Sequence, residues 1–293
     1  MRQGMSSRYA GHLLVLPALG ILGLLALGPI LWALWLSFQR RLLIFDISRF
    51  VGLENYWIAL HDPRFWQSLL NTAYFTAVSV TAEIILGMAI ALLIRHSFRG
   101  RGWVRAALLV PWAIPTVVSA RMWEWMYNAD FGFINFLLLR SGLVSSPLNW
   151  LGDRTLALHA AILMDVWKTT PFAAFLLSAA LMTIPRDLYQ AAQVDGAGAW
   201  AVFRRLTLPL LRPALLVVLL FRTLDAFRVF DAIYVLTGGG PANTTETLSV
   251  YTYKTLFQTL QFGYGSTLAV LTFLCVLLTS LAYLRFLRRE IAY

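Results

Sequence analysis

Apolar residues fall in long blocks, separated by short stretches where charge collects. No Asp, Glu, Lys or Arg occurs between Arg8 and Arg40, and a helix needs about 20 apolar residues to cross a hydrocarbon layer about 30 Å thick. A first span is therefore predicted at about 11–38. It is too long for the apolar core of a cleaved signal peptide, and Trp32 and Trp35 suit a membrane interface. The same reading places further spans at about 69–94, 103–127, 155–180, 213–236 and 266–287. The expected fold is all-α and integral to a membrane, with six transmembrane helices in one domain covering 1–293. Two connections are longer. In 39–68, the aromatics Phe50, Tyr56, Trp57, Phe65 and Trp66 suggest short interfacial helices; in 128–154, a short surface or re-entrant helix is expected.

Composition agrees with this layout: 59% of residues are hydrophobic and only 13% charged, about half the charged share of a soluble domain. A net charge of +10 would suggest nucleic acid in a soluble protein, but position explains it better. With the N-terminus cytoplasmic, that side holds Arg2, Arg8, Arg95, Arg99, Arg101, Arg105, Arg186, Arg204, Arg205, Arg212, Arg285, Arg288 and Arg289. The other side holds Arg40, Arg41, Arg49, Arg64, Arg140, Arg154 and Lys254. This 13 to 7 division favours both termini inside and removes the motive for a nucleic-acid partner. One cysteine, Cys275, and four scattered histidines argue against a disulfide framework and a metal site.

The chain also lacks an engine. A phosphate-binding loop needs a lysine directly after glycine, and the two lysines, Lys168 and Lys254, follow Trp167 and Tyr253. Neither a G-x-S-x-G elbow nor a paired catalytic His and carboxylate is found. If ATP drives this protein, another polypeptide hydrolyses it.

Between the fourth and fifth spans lies IPRDLYQAAQVDGAGAWAVFRRLTLPLLRP, from Ile184 to Pro213. Pro185 can open a helix, and Asp187 complements its dipole. The helix should run to about Val194. Asp195-Gly196 is a turn signal, and a second short helix is expected from Ala197 to Leu206, ended by Pro209. Helices this short are marginal alone in water. Small residues at Ala191, Ala192, Ala197 and Ala199 permit close approach, while Leu188, Trp200 and Phe203 supply apolar anchors for a partner's groove. An amphipathic hairpin lying on the membrane is the competing reading.

The segment QAAQVDGAGAWAVFRRLTLPLL resembles the EAA loop of permease subunits of bacterial ABC importers. Gln190-Ala191-Ala192 stands for E-A-A, Asp195-Gly196-Ala197 for D-G-A, Phe203 for the aromatic and Leu208-Pro209 for the ending. The resemblance implies a type I importer permease fold in which 184–212 is the coupling loop, seated in a cleft of a separate nucleotide-binding subunit. Gln190 replaces the glutamate and forgoes charge assistance. The stretches from Met164 and from Leu219 are similar to the carbohydrate branch, and FRTLDAFRVFDAIYVLT looks like its trehalose and maltose uptake group. The implied setting is the bacterial inner membrane. The implied partners are a second permease subunit in a heterodimer, ATP-binding subunits that hold ATP and Mg, an extracytoplasmic sugar-binding protein or lipoprotein, and the bilayer. No cofactor, metal or enzymatic activity of its own is expected on this chain. Another sugar, or a glycerol-phosphate-like solute, is the alternative cargo.

Charges also lie within the spans. Arg222, Asp225, Arg228 and Asp231 recur every third residue, so successive members drift about 60° around a helix and still touch. Either this row and Tyr234 line a sugar route, or its ion pairs lock the span to its neighbours. Asp231, Tyr234, Arg228 and Trp167 are the pathway candidates; Arg222 and Asp225 look structural. Asp165 and Lys168, three apart, are expected to pair, and Glu83 has no evident partner. A proton-coupled transporter using Asp225, Asp231 and Glu83 is the rival reading. After the fifth span, Gly238, Gly239 and Gly240 permit unusual backbone and Pro241 stiffens it. In relatives such a loop helps contact the binding protein, which makes Gly239, Gly240 and Pro241 candidates; a plain connector is the alternative.

Overall fold

The computed structural model describes residues 14–95 and 98–291, with side chains through 286. The first residues of the first span, His12, Arg2 and Arg8, and the side chains of Arg288 and Arg289 lie outside the described residues. In chain order, α1 is Leu14–Ser37, followed by strands β1 (Gln39–Leu42) and β2 (Ile47–Phe50). Next come α2 (Glu54–His61), α3 (Pro63–Arg95), α4 (Arg101–Ala113), α5 (Thr116–Met126), α6 (Phe133–Arg140) and α7 (Leu156–Thr183). The chain continues through α8 (Arg186–Val194), α9 (Ala199–Phe227), α10 (Asp231–Leu236), α11 (Leu248–Tyr253) and α12 (Phe262–Ile291).

Among the described residues five helices, α1, α3, α7, α9 and α12, are each long and apolar enough to cross a membrane, and α4 with α5 supply a sixth only as a pair bent by 94°. The expected straight third span at 103–127 is thus broken at Ile114-Pro115. The second span begins at Pro63 rather than 69, because the polar DPRFWQ stretch continues the same helix. The fifth differs at both ends. Pro209 does not stop the second hairpin helix: a π-turn at Phe203–Thr207, where the N–H of Leu208 reaches the Phe203 carbonyl, carries it on as the single helix α9. Such a turn changes the hydrogen-bond ladder just where proline cannot donate to it. At the other end α9 stops at Phe227, and α10 is a separate helix. The row Arg222, Asp225, Arg228, Asp231 therefore does not lie on one helix.

Residues Met1–Pro63 with Thr252–Leu274 form one compact unit, and Arg64–Tyr251 with Cys275–Tyr293 another. In the first, β1 and β2 pair antiparallel, Gln39 opposite Phe50 and Arg40 opposite Arg49. The short interfacial helices expected in 39–68 are therefore partly a β-hairpin, with only α2 as a helix of its own. Its base is tied by side chains to backbone: Asn55 Nδ2 donates to the carbonyls of Ser37 and Gln39, both at 2.9 Å, and Thr267 Oγ1 to that of Ser37 at 3.1 Å. A Cβ at Gly263 would overlap the Gln39 carbonyl, so glycine is what lets the start of α12 reach the strand.

In the second unit, α3, α5, α7 and α10 bury Phe75, Trp123, Tyr127, Met164 and Ile233. Nearer the hairpin, α3, α7 and α9 bury Met88, Leu177, Leu181, Leu211 and Val218. The crossing of α3 and α7 is close. A Cβ on Gly87 would stand 3.0 Å from the Ala173 Cβ and 3.1 Å from the Ala174 nitrogen, so any larger residue would push the helices apart. The connection 128–155 holds α6, as expected, and is clasped by Asn135. Its amide donates to the carbonyls of Ala129 and Leu148 at 3.2 and 2.9 Å, and its oxygen accepts from Trp150 Nε1 at 3.0 Å.

Candidate functional site

At one end of the second unit the hairpin follows the expected outline closely. Asp195 caps α8, Gly196 is left-handed at φ 73°, and the amides of Gly196 and Ala197 return to the carbonyls of Gln193 and Ala192 at 3.0 and 2.9 Å. That pair of bonds satisfies the last carbonyls of α8, and glycine permits it without strain. Gln190, Ala191, Asp195 and Gly196 are exposed, while Ala192 and Ala197 are half-buried. Val194 is 87% exposed and Trp200 71%. Phe203 behaves differently: it stacks against Trp200 at 5.6 Å but also packs on the core formed by α3, α7 and α9. Tyr189 anchors the other arm. Its hydroxyl lies 3.2 Å from Thr207 Oγ1, and Arg95 at the end of α3 sits 3.8 Å over its ring.

In the middle of the bundle the charges gather around Arg222. Its Nε and Nη2 donate to both oxygens of Glu83 at 2.5 and 3.0 Å, and its Nη1 to Asp225 at 2.6 Å. Asp165 Oδ2 lies 3.5 Å from Nη2. Glu83 is fully buried and Arg222 almost so, and a bidentate carboxylate is the arrangement that best offsets desolvation of a guanidinium. The expected Asp165–Lys168 pair does not form. Asp165 turns to Arg222, and Lys168 donates to the carbonyls of Ile114 and Trp112 at 2.5 and 3.4 Å. Asp165 Oδ2 has no hydrogen-bond partner.

Beside this cluster is an open cavity of about 630 Å³, walled by Trp112, Thr116, Asp165, Lys168, Thr169, Phe172, Arg222, Asp225, Arg228 and Asp231 among others. Two of the four pathway candidates, Arg228 and Asp231, are on its wall. Trp167 instead packs edge-on against Trp123 at 5.6 Å, and Tyr234 stacks on Phe230 at 5.1 Å, both against the apolar core. Arg222, Asp225, Asp165 and Lys168, read as structural, also reach the cavity.

The loop after α10 is deeply seated. Thr245, Glu246 and Thr247 are buried; Arg64 clasps Glu246 through Nε at 2.6 Å and Nη2 at 2.9 Å, and the Glu246 carbonyl accepts from Asn71. Gly239 is buried, while Gly240 and Pro241 are half-buried and Ala242 is the exposed tip. Ahead of α7, Asp153 accepts from the Thr155 hydroxyl at 2.6 Å and the amides of Thr155 and Leu156 at 2.8 and 2.9 Å. The Thr155 hydroxyl, then those amides, hold its carboxyl below the ordinary carboxylate range.

An apolar bundle with a polar cavity and a projecting helical hairpin is the build of a membrane transport component. Residues 83–291 match the family described as binding-protein-dependent transport system inner membrane component, and the chain belongs to that family. It is 44% identical over 94% of its length, and 92% of the relative's, to the trehalose/maltose transport system permease protein MalF of Thermococcus litoralis. It is 42% identical, over 96% of its length and 89% of the relative's, to the trehalose transport system permease protein SugA of Mycobacterium tuberculosis. Its fold is similar to a chain of the bacterial alginate ABC transporter solved in complex with an alginate pentasaccharide-bound periplasmic protein, with a TM-score of 0.82 at 23% identity, covering 97% of this chain and 96% of that one. The protein is a multi-pass permease component of the inner membrane.

Proposed function

We propose that this chain is the transmembrane subunit of an ATP-driven importer for a disaccharide such as trehalose or maltose. The observation that carries the reading is the cavity: an opening of about 630 Å³, within the range of about 300–1,000 Å³ usual for small-molecule sites, set in apolar helices yet walled by Asp165, Asp225, Asp231, Arg228 and Lys168. Carboxylates and guanidinium groups accept from and donate to hydroxyls. The relatives at 42–44% identity, named for trehalose and maltose, support the class of cargo.

In this reading both termini are cytoplasmic, as the basic residues favour, so the 186–207 hairpin faces the cytosol. A separate ATPase receives Val194 and Trp200, and ATP and Mg are bound there. ATPase closure pushes on the hairpin, whose second arm is the start of α9, and the stroke passes through the π-turn along that helix to Arg222. A second permease subunit completes the passage, and a sugar-loaded binding protein delivers to the other face near Gly240, Pro241 and Ala242. The proton-coupled rival is weakened because Glu83 is fully engaged by Arg222.

The test is uptake of labelled trehalose and maltose into vesicles, first with this chain alone, then with its second permease, ATPase and binding protein. Strict dependence on ATP and on all partners is expected, with unlabelled disaccharide competing and glycerol phosphate not. Uptake by the lone chain down a proton gradient would overturn the proposal.

A further inference from the structure

We infer that Lys168 is a positioning residue, whose ammonium fixes the bend between α4 and α5 and so the shape of the cavity wall. The inference rests on the permease reading only for what that wall is used for.

The need arises in the backbone. At the end of α4 the amide of Ile114 still closes on the Val110 carbonyl, and α5 resumes when the amide of Ser119 reaches the Pro115 carbonyl. In an unbroken helix the carbonyls of Trp112 and Ile114 would accept from the amides of Thr116 and Val118; across the bend neither receives a backbone amide. Where a helix breaks inside a membrane bundle, the freed carbonyls must find donors in the protein or in cavity water. The opposite need sits on α7. Lys168 is almost completely buried, the carboxylate one turn away belongs to Arg222, and a buried ammonium requires acceptors. The two deficits are matched: Lys168 Nζ donates to Ile114 O at 2.5 Å and to Trp112 O at 3.4 Å.

The location gives the bond its consequence. Trp112 stacks on Phe172 of α7 at 6.1 Å with rings 21° from parallel, and Trp112, Thr116, Lys168 and Phe172 all wall the cavity. One ammonium thus ties the elbow of the broken helix to α7 at the cavity. A change in the opening must carry α4, α5 and α7 as one body or release this bond. Neither the hairpin nor the loop at the other end is touched by Lys168, so its loss should alter passage without altering docking.

The bend can be read in the assembled transporter by pulsed electron paramagnetic resonance between spin labels at Val104→Cys and Val117→Cys, both exposed, with the lone cysteine removed as Cys275→Ser. A narrow distance distribution is expected with Lys168 and with Lys168→Arg, which still donates to both carbonyls. Lys168→Met should broaden it. Uptake by Lys168→Met should fall about 100-fold, the loss that follows a misplacement of about 1 Å in a working site, at an unchanged half-saturating concentration of loaded binding protein. If Lys168→Met does not assemble, Lys168→Gln serves, since its amide nitrogen stops one bond short and should also broaden the distribution. An unchanged distribution in Lys168→Met, or in Lys168→Gln where that variant stands in, overturns the inference whatever happens to uptake. Because the distances are read without solute, they stand apart from the identity of the cargo.

Discussion

The charge cluster around Arg222 and the hairpin at 186–207 solve opposite problems. Glu83 and Arg222 lie 139 residues apart, both buried, and each is the answer to the other's desolvation. The hairpin makes nearly all its bonds locally and leaves Val194 and Trp200 in the open. The first region is complete within the chain; the second is finished only by something else. A chain that must both hold a passage and receive force from another protein separates those tasks, closing its interior on itself and keeping large apolar side chains outside for the partner.

The largest test of that contrast is Arg222→Met. Removing the guanidinium strands Glu83 and Asp165 as uncompensated carboxylates, and breaking a buried pair in this way costs about 3–5 kcal/mol. The purified variant should lose that much unfolding free energy in detergent and assemble poorly. Glu83→Met with Arg222→Met should recover part of the loss, because an apolar pair asks for no compensation. If both variants unfold like the wild type, the cluster is not what closes the bundle.

The hairpin should respond in the other way. Asp195→Lys reverses an exposed charge, and Gly196→Trp puts bulk on the exposed turn at a left-handed position, where a side chain costs about 1–2 kcal/mol. Each should abolish ATPase assembly or uptake while the unfolding free energy of the chain shifts by no more than about 2 kcal/mol. Normal uptake by both would remove the coupling role. The contrast sharpens within one ring pair. Trp200→Ala should leave stability within about 0.5 kcal/mol, as surface changes usually do, yet weaken ATPase binding in a pull-down. Phe203→Ala, which withdraws a ring from the core of α3, α7 and α9, should lower stability by about 1–3 kcal/mol. Equal stability losses would mean the two rings do one job.

The same contrast explains what could be read from the chain. The helix opening after Pro185, its end near Val194 and the Asp195-Gly196 turn are local signals, and each lies where expected. The first, second, fourth and sixth apolar spans also lie near their expected places, whereas the third is broken and the fifth is shifted. The partners of Glu83, Asp165 and Lys168 are not legible, because spacing along one helix suggests Asp165 with Lys168, while Glu83 and Asp165 face Arg222 on α9 and Lys168 donates to backbone carbonyls at the α4–α5 bend. Proline misled in both directions. Pro111, Pro171 and Pro213 sit inside continuing helices and Pro209 is passed by a π-turn, yet Pro115 breaks its span. At the Pro115 break, the carbonyls of Ile114 and Trp112 accept from Lys168 on α7. The strands at 39–50 were missed because their apolar tip, Leu43-Ile44-Phe45, reads equally as an interfacial helix.

The smallest effect is expected at Asp153, which lies outside both regions and owes its bonds wholly to its neighbours in sequence. Its carboxyl accepts three hydrogen bonds at the entry to α7 and titrates below its ordinary value of 3.8. A depressed carboxyl favours the folded chain above its unfolded pKa, and that contribution is lost as pH falls through the folded one. Asp153→Asn should therefore lower the melting temperature slightly at neutral pH, and the gap from wild type should narrow as the buffer is taken below pH 3.8. A gap for Asp153→Asn that does not change with pH would mean that the charge at Asp153 contributes nothing, and that its hydrogen bonds act as they would from a neutral side chain.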